Sequence, residues 1–172
     1  LIDPEGSVVW GCFPRFDADP VFCALLDDAT PEDARGVFSI ELDGLAHASQ
    51  AYLRNTAVLS TRLVDRDGGE IEIVDCVPRH FEHDRIHVPH TLVRHVQRIA
   101  GRPRITVRLR PACEWGAKRP ETTAGSHHIR YVARDLALRL TTDASLTAIA
   151  DERPFLLEES CTLVFGTDEP LP

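Results

Sequence analysis

The sequence predicts an all-β domain: a large antiparallel two-sheet β-sandwich with one short helix near residues 19–27. Period-two alternation of apolar and polar residues recurs along the chain, as half-buried antiparallel strands require. Turn-forming residues fall between the alternating runs. One stretch alone combines an N-cap, a proline and a helical apolar stripe. About a dozen short strands with turns between them suggest a two-sheet sandwich.

In chain order, Leu1–Asp3 and Ser7–Phe13 flank the turn Pro4-Glu5-Gly6. Asp19 reads as a helix cap, Pro20 as the first helical residue, and Val21, Phe22, Leu25 and Leu26 as the buried stripe. Strands follow at Val37–Leu42 and Gln50–Arg54. Asp67-Gly68-Gly69 joins Val58–Val64 to Glu70–Val77, because glycine supplies the positive φ of a tight hairpin. Ala100-Gly101-Arg102-Pro103 joins Thr91–Ile99 to Arg104–Arg110, and Ala133-Arg134-Asp135 joins His128–Val132 to Leu136–Thr141. In Ile105–Arg110 the apolar side chains take one face and Thr106, Arg108 and Arg110 the other. Leu146–Ala150, Phe155–Glu158 and Thr162–Phe165 complete the expected strands. The tail Gly166–Pro172 reads as the start of a connection.

The 172 residues, 43% hydrophobic and 27% charged, suit one soluble globular domain better than two. A chain of this size buries roughly 68–70% of its unfolded surface and needs no metal or disulfide to fold. No apolar run reaches the ~18 residues of a membrane span. With 19 basic against 27 acidic residues, the net charge of −8 argues against nucleic acid or anionic membrane as a partner. The chain has no methionine and no secretory-type leader, so the simplest expectation is a single domain, residues 1–172, excised from a longer protein. The five cysteines are odd in number and fit neither a zinc pattern nor a disulfide framework. Cys12, Cys76 and Cys161 lie in apolar runs and read as buried reduced thiols, which favours a cytoplasmic location. Lys118 is the only lysine, which reads as compositional bias.

Several ordered blocks carry a resemblance. Asp3-Pro4-Glu5-Gly6-Ser7-Val8-Val9-Trp10-Gly11-Cys12-Phe13-Pro14-Arg15-Phe16-Asp17 is followed by Asp19-Pro20-Val21-Phe22 and Leu25-Leu26. Then come Gln50-Ala51-Tyr52-Leu53-Arg54-Asn55-Thr56-Ala57-Val58-Leu59, Ile73-Val74-Asp75-Cys76-Val77-Pro78-Arg79, and Arg108-Leu109-Arg110-Pro111 with Trp115-Gly116. Together they resemble the amino-terminal segment of bacterial glycoside hydrolase family 15 proteins, the glucoamylase, glucodextranase and trehalase-like enzymes. The resemblance implies a β-sandwich that docks on its own C-terminal (α/α)6 catalytic barrel, which this chain lacks. It implies a parent that hydrolyses α-glucosides with inversion. One carboxylic acid protonates the leaving oxygen and a carboxylate about 6.5–9.5 Å away activates water. No residue here matches those catalytic motifs, so no catalytic residue, cofactor or metal is expected in this piece.

The candidate site is the loop from Trp10 to Asp17. Pro14 interrupts the strand, and Arg15, Phe16 and Asp17 must project before the next element. Arginine and aspartate suit sugar hydroxyls, and Trp10 or Phe16 suits a pyranose face. These four residues are expected at the rim of the parent's substrate cleft. The competing reading is a structural corner, with Asp17 capping the helix and Arg15 paired to it. His80, His83 and His87 lie between Pro78 and Pro89, with His90 just after, and the two prolines favour a solvated loop over the metal site a helix would build. His127 and His128 begin a strand. No nucleophilic triad or phosphate loop stands out. Arg108, Arg110, Arg130 and Arg139 are expected on one sheet face, paired across strands with residues such as Glu70 and Glu72 at about 0.2–1 kcal/mol each. A polysaccharide groove on that face is the lesser reading. The rivals for the whole chain are a free-standing carbohydrate-binding module, which needs exposed coplanar aromatics, and a purely structural interaction domain. An exposed docking face would also let the isolated piece self-associate.

Overall fold

The computed structural model describes residues 1–26, 34–82, 84–134 and 136–168. In chain order the strands are β1 (Gly11–Cys12), β2 (Pro20–Phe22), β3 (Val37–Leu42), β4 (Leu45–Tyr52), β5 (Leu59–Asp65), β6 (Glu70–Cys76), β7 (His80–Glu82) and β8 (Arg85–His87). They continue as β9 (Thr91–Ala100), β10 (Arg104–Arg110), β11 (Glu121–Ala124), β12 (His128–Ala133) and β13 (Leu136–Thr142). Helix α1 (Leu146–Ala150), β14 (Phe155–Leu156) and β15 (Ser160–Thr167) complete the order.

An eight-stranded antiparallel sheet runs β11-β12-β13-β15-β9-β6-β5-β4, and a three-stranded one runs β14-β10-β3. The pairs β1–β2 and β7–β8 stand apart from both. The chain is thus all-β, and the sheets do not close into a barrel. Alternation sets the inner faces: Ile71, Ile73 and Asp75 of β6 are buried while the intervening side chains are half-buried. Ile105, Val107 and Leu109 are buried on β10 as well, with Thr106 also buried between the first two. The layers meet at an aromatic cluster, where Phe38 of β3 lies 6.1 Å from Phe165 of β15 and Phe22 of β2 lies 5.3 Å from Phe165.

One cation crosses this core. Arg94 of β9 sits directly opposite Asp75 of β6, and both side chains are buried. Its Nε donates to Asp75 Oδ1 at 2.7 Å, its Nη1 donates to the Phe38 carbonyl at 2.7 Å, and its Nη2 donates to the Gly6 carbonyl. The guanidinium also stacks 4.7 Å from the centre of the Phe38 ring. A charge this deep persists because a carboxylate and two carbonyls surround it.

The short helix expected near residues 19–27 is present only as its last turn. Residues 20–22 form strand β2, and Ala24–Leu26 make one 3-10 turn; residue 27 lies outside the described residues. Pro20, Val21 and Phe22 are all buried, because this strand is covered on both faces, and a doubly covered strand mimics the apolar content of a helix. Its backbone is engaged sideways: the Ala112 N–H donates to the Val21 carbonyl, and the Cys23 N–H donates to Gly36. Gly36 has φ +62, and a Cβ there would lie 2.6 Å from the Cys23 nitrogen. An α-helix, α1, lies where a strand was expected. Ser145 Oγ caps it by accepting from the Ala148 N–H at 3.3 Å, and Ile149 is its buried residue.

Other differences are smaller. Ser7–Phe13 pairs only through a bridge at Val8 and through β1. Strand β4 starts at Leu45, five residues before the expected Gln50, and its largely exposed edge position gives it no alternation to read. Asp135 of the expected Ala133–Asp135 turn and residues 169–172 of the tail lie outside the described residues.

Candidate functional site

The loop from Trp10 to Asp17 leaves the core at Phe13. That ring packs edge-on against Phe22 at 6.0 Å and Phe165 at 5.4 Å, which fixes the root of the loop. The Phe13–Pro14 peptide is cis. Beyond it the Ala18 N–H closes a turn onto the Arg15 carbonyl at 3.1 Å. Arg15 grips Asp17 in a fork, Nε to Oδ1 at 2.9 Å and Nη2 to Oδ2 at 2.9 Å. Phe16 stands between them at the tip, 91% exposed. Asp17 caps no helix, since none follows, but its pairing with Arg15 is as the structural-corner reading expected.

A second loop meets the first. Trp115 lies 6.5 Å from Trp10, with the rings tilted by 53°. Glu114 at φ +51, Trp115 at φ +58 and Gly116 at φ +92 are consecutive left-handed residues, a costly arrangement for the first two. The mutual backbone bonds of Cys113 and Lys118 hold this arch at its base, at 2.9 and 3.2 Å. Glu114 and Lys118 pair across it at 2.8 Å. Desolvation first, then the neighbouring Glu114 charge, pushes the Cys113 thiol above its ordinary value. Between the two loops runs an open groove of about 1000 Å³, lined by Pro14, Asp19, Cys113, Arg119 and Arg134 among others. The partnership of Trp10 with Trp115 was not foreseen; the aromatic in the Trp115-Gly116 block was its available signal.

The arginines fall into two groups rather than one face. On β10, Arg108 reaches Glu41 at 2.7 Å, and both Arg108 and Arg110 reach Glu152, just beyond α1, at 3.3 and 2.5 Å. On the other sheet Arg130 and Arg139 converge on Asp168 at 2.5 and 2.7 Å. Glu70 and Glu72 are engaged elsewhere, by Arg62 and by the Ser60 hydroxyl. Glu41 is a cross-strand partner, since β3 pairs with β10, whereas Glu152 and Asp168 come from segments just beyond α1 and at the end of β15. Burial raises the Glu152 carboxyl, yet hydrogen bonds and charge from Arg110 and Arg108 outweigh it and hold it below its ordinary value. Asp168 is likewise lowered, with desolvation outweighed by Arg130 and Arg139.

The histidine window is a hairpin, not a helix. His80 of β7 is opposite His87 of β8, so no helical face gathers the imidazoles, and His83 lies outside the described residues. Among the described residues no group of three or more His, Cys, Asp or Glu is placed to hold a metal ion. No disulfide joins the cysteines among the described residues; Cys161 and Cys23 are buried, whereas Cys12 and Cys76 are only half-buried. Burial, then the charge of Asp143, pushes Cys161 up to about 12. No helix among the described residues is long and apolar enough to cross a membrane.

Comparison with known families places this architecture. The model described as trehalase-like, N-terminal, matches residues 1–151. The chain belongs to the trehalase-like N-terminal family. It is 26% identical over 168 residues to a trehalase of Thermoplasma volcanium, covering 96% of this chain and 24% of that protein. It is 25% identical over 153 residues to a trehalase of Thermoplasma acidophilum, covering 88% and 25%. A 79-residue stretch is 44% identical to trehalase 1 of Sulfolobus acidocaldarius, covering 45% of this chain and 13% of that protein. These relatives are archaeal, so the likeness is not confined to bacteria. The chain thus spans at most about a quarter of the length of each of them. No solved structure matches it.

Proposed function

We propose that this trehalase-like N-terminal domain is the non-catalytic sandwich of a longer hydrolase, in which it docks on the catalytic barrel and shapes one side of the substrate cleft. The parent hydrolyses the α-glucosidic bond of trehalose with inversion, using two carboxyl groups supplied by the barrel. The observation that carries this reading is the match of the trehalase-like N-terminal model to residues 1–151, together with relatives named trehalase whose length is about four times the matched part. The odd number of cysteines, at spacings that fit no disulfide framework, supports a reducing, cytoplasmic setting.

Within that reading the Arg15–Phe16–Asp17 tip forms the cleft rim. It offers a guanidinium and a carboxylate beside an uncovered ring, and a groove opens next to it. The specific observation favouring a purely structural corner is that Arg15 and Asp17 satisfy each other. Arg15→Ala and Asp17→Ala in the full-length parent separate the two. Loss of one charged hydrogen bond to substrate removes about 1.5–3 kcal/mol. The cleft reading therefore expects a fall in kcat/KM for trehalose of about tenfold or more, with the melting temperature unchanged. Unaltered kcat and KM in both variants would leave the corner standing. The tilt between Trp10 and Trp115 does not give the coplanar platform of a free-standing carbohydrate-binding module.

A further inference from the structure

The register of the large sheet fixes which loops share an end. Tyr52 pairs with Leu59, Leu59 with Asp75, Cys76 with Val93, Thr91 with Gly166, Thr167 with Leu138, and Leu136 with Ala133. Here the connection from β6 to β9 rises as the hairpin β7–β8, which pairs with no other strand among the described residues. Phe81 and Ile86 are directly opposite in that hairpin and are 79% and 63% exposed. Residues directly opposite point to the same side, so the two rise as one apolar step. Val77 and Val88 at its base are exposed, and so are Tyr52 and Leu53 at the end of β4. At the opposite end of the same strands, Ile99 is the exposed large apolar side chain.

A lone two-stranded hairpin is marginal in water, and a contiguous exposed apolar patch marks a contact surface. Strand β15 also runs toward this end, and the Thr167 N–H donates to the His90 carbonyl at the hairpin base at 3.4 Å. The family is described as N-terminal, and the matched part is about a quarter of the Thermoplasma relatives. A large body following β15 in the parent would start beside the hairpin.

We propose that this end of the eight-stranded sheet, with Phe81 and Ile86 as its projecting step, is the seat of the catalytic portion that follows residue 172 in the parent. This rests on the domain reading above and adds the surface that makes the contact. The test places the photo-crosslinker p-benzoylphenylalanine at position 81, and separately at position 99, of the full-length parent. After irradiation, the adducts are mapped by mass spectrometry. The expected result is that position 81 joins residues beyond 172 of the same chain and position 99 does not. Adducts from position 81 confined to residues 1–172, adducts to a second copy at doubled mass, or equal yield from position 99 would each overturn it. Trehalose hydrolysis is measured on the same preparations. Crosslinking without hydrolysis keeps the interface and removes the trehalase reading; hydrolysis without crosslinking does the reverse.

Discussion

Arg94 shows how much one side chain can specify. Five N–H groups in a rigid fork let it engage Asp75 and two separate carbonyls at once, which lysine could not do in that geometry. Removing it strands the buried Asp75 carboxylate and leaves the Gly6 and Phe38 carbonyls short of a donor. Arg94→Leu is therefore expected to lower the unfolding free energy by about 3–5 kcal/mol in a urea titration of the chain. A loss under about 1 kcal/mol would mean that water reaches the pair. Nothing in the alternation of Thr91–Ala100 announced this role. Arginine in a strand ordinarily reads as a solvent-facing position, and Asp75 entered only as part of a motif block. The roles of Arg15 and Asp17 were legible to the extent that two complementary charges lie two residues apart. The chain alone could not say that Phe16 would be left bare between them.

Among the elements, the hairpins were the most readable, because glycine-bearing turns and period-two alternation are both local signals. The Asp67–Gly69 turn lies between β5 and β6 as the glycines required, and the Gly101 turn lies between β9 and β10. Segments buried on both faces or on neither were misread. The doubly covered β2 looked helical, and the exposed edge strand β4 showed no period. The helix α1 was missed because Leu146, Ile149 and Ala150 also fit a short apolar strand. Its Ser145 cap was the signal that distinguished the two. Ser145→Ala is expected to cost about 0.5–2 kcal/mol, toward the lower figure given the 3.3 Å bond, in a thermal melt. No change would mean that packing of Ile149 alone holds the turn. The arch carrying Trp115 was not readable, because two successive left-handed residues that are not glycine have no local cause in the sequence.

Across the whole molecule, two acidic anchors respond to pH in the same direction. Glu152 ties the three-stranded sheet to the segment after α1, and Asp168 ties β12 and β13 together. Both carboxyls are held below their ordinary values of 4.5 and 3.8. Such groups stabilise the fold fully above those ordinary values and progressively less as pH falls through the lowered ones. The chain should therefore lose stability on acidification below about pH 4.5, and Glu152→Gln should remove part of that acid dependence while lowering stability at neutral pH. Identical acid titrations of the two proteins by near-ultraviolet circular dichroism would show that Glu152 has no part in it.

The Arg94 cluster also bears on the order of assembly. Its contacts join positions as far as 88 residues apart, so they form only once the segment carrying Gly6, β3 and β6 have all arrived around β9. An early collapse that trapped β9 without the Gly6 carbonyl would enclose a partly unsatisfied cation, which burial disfavours. The guanidinium thus acts as a checkpoint, penalising misassembled cores that apolar contacts alone would tolerate.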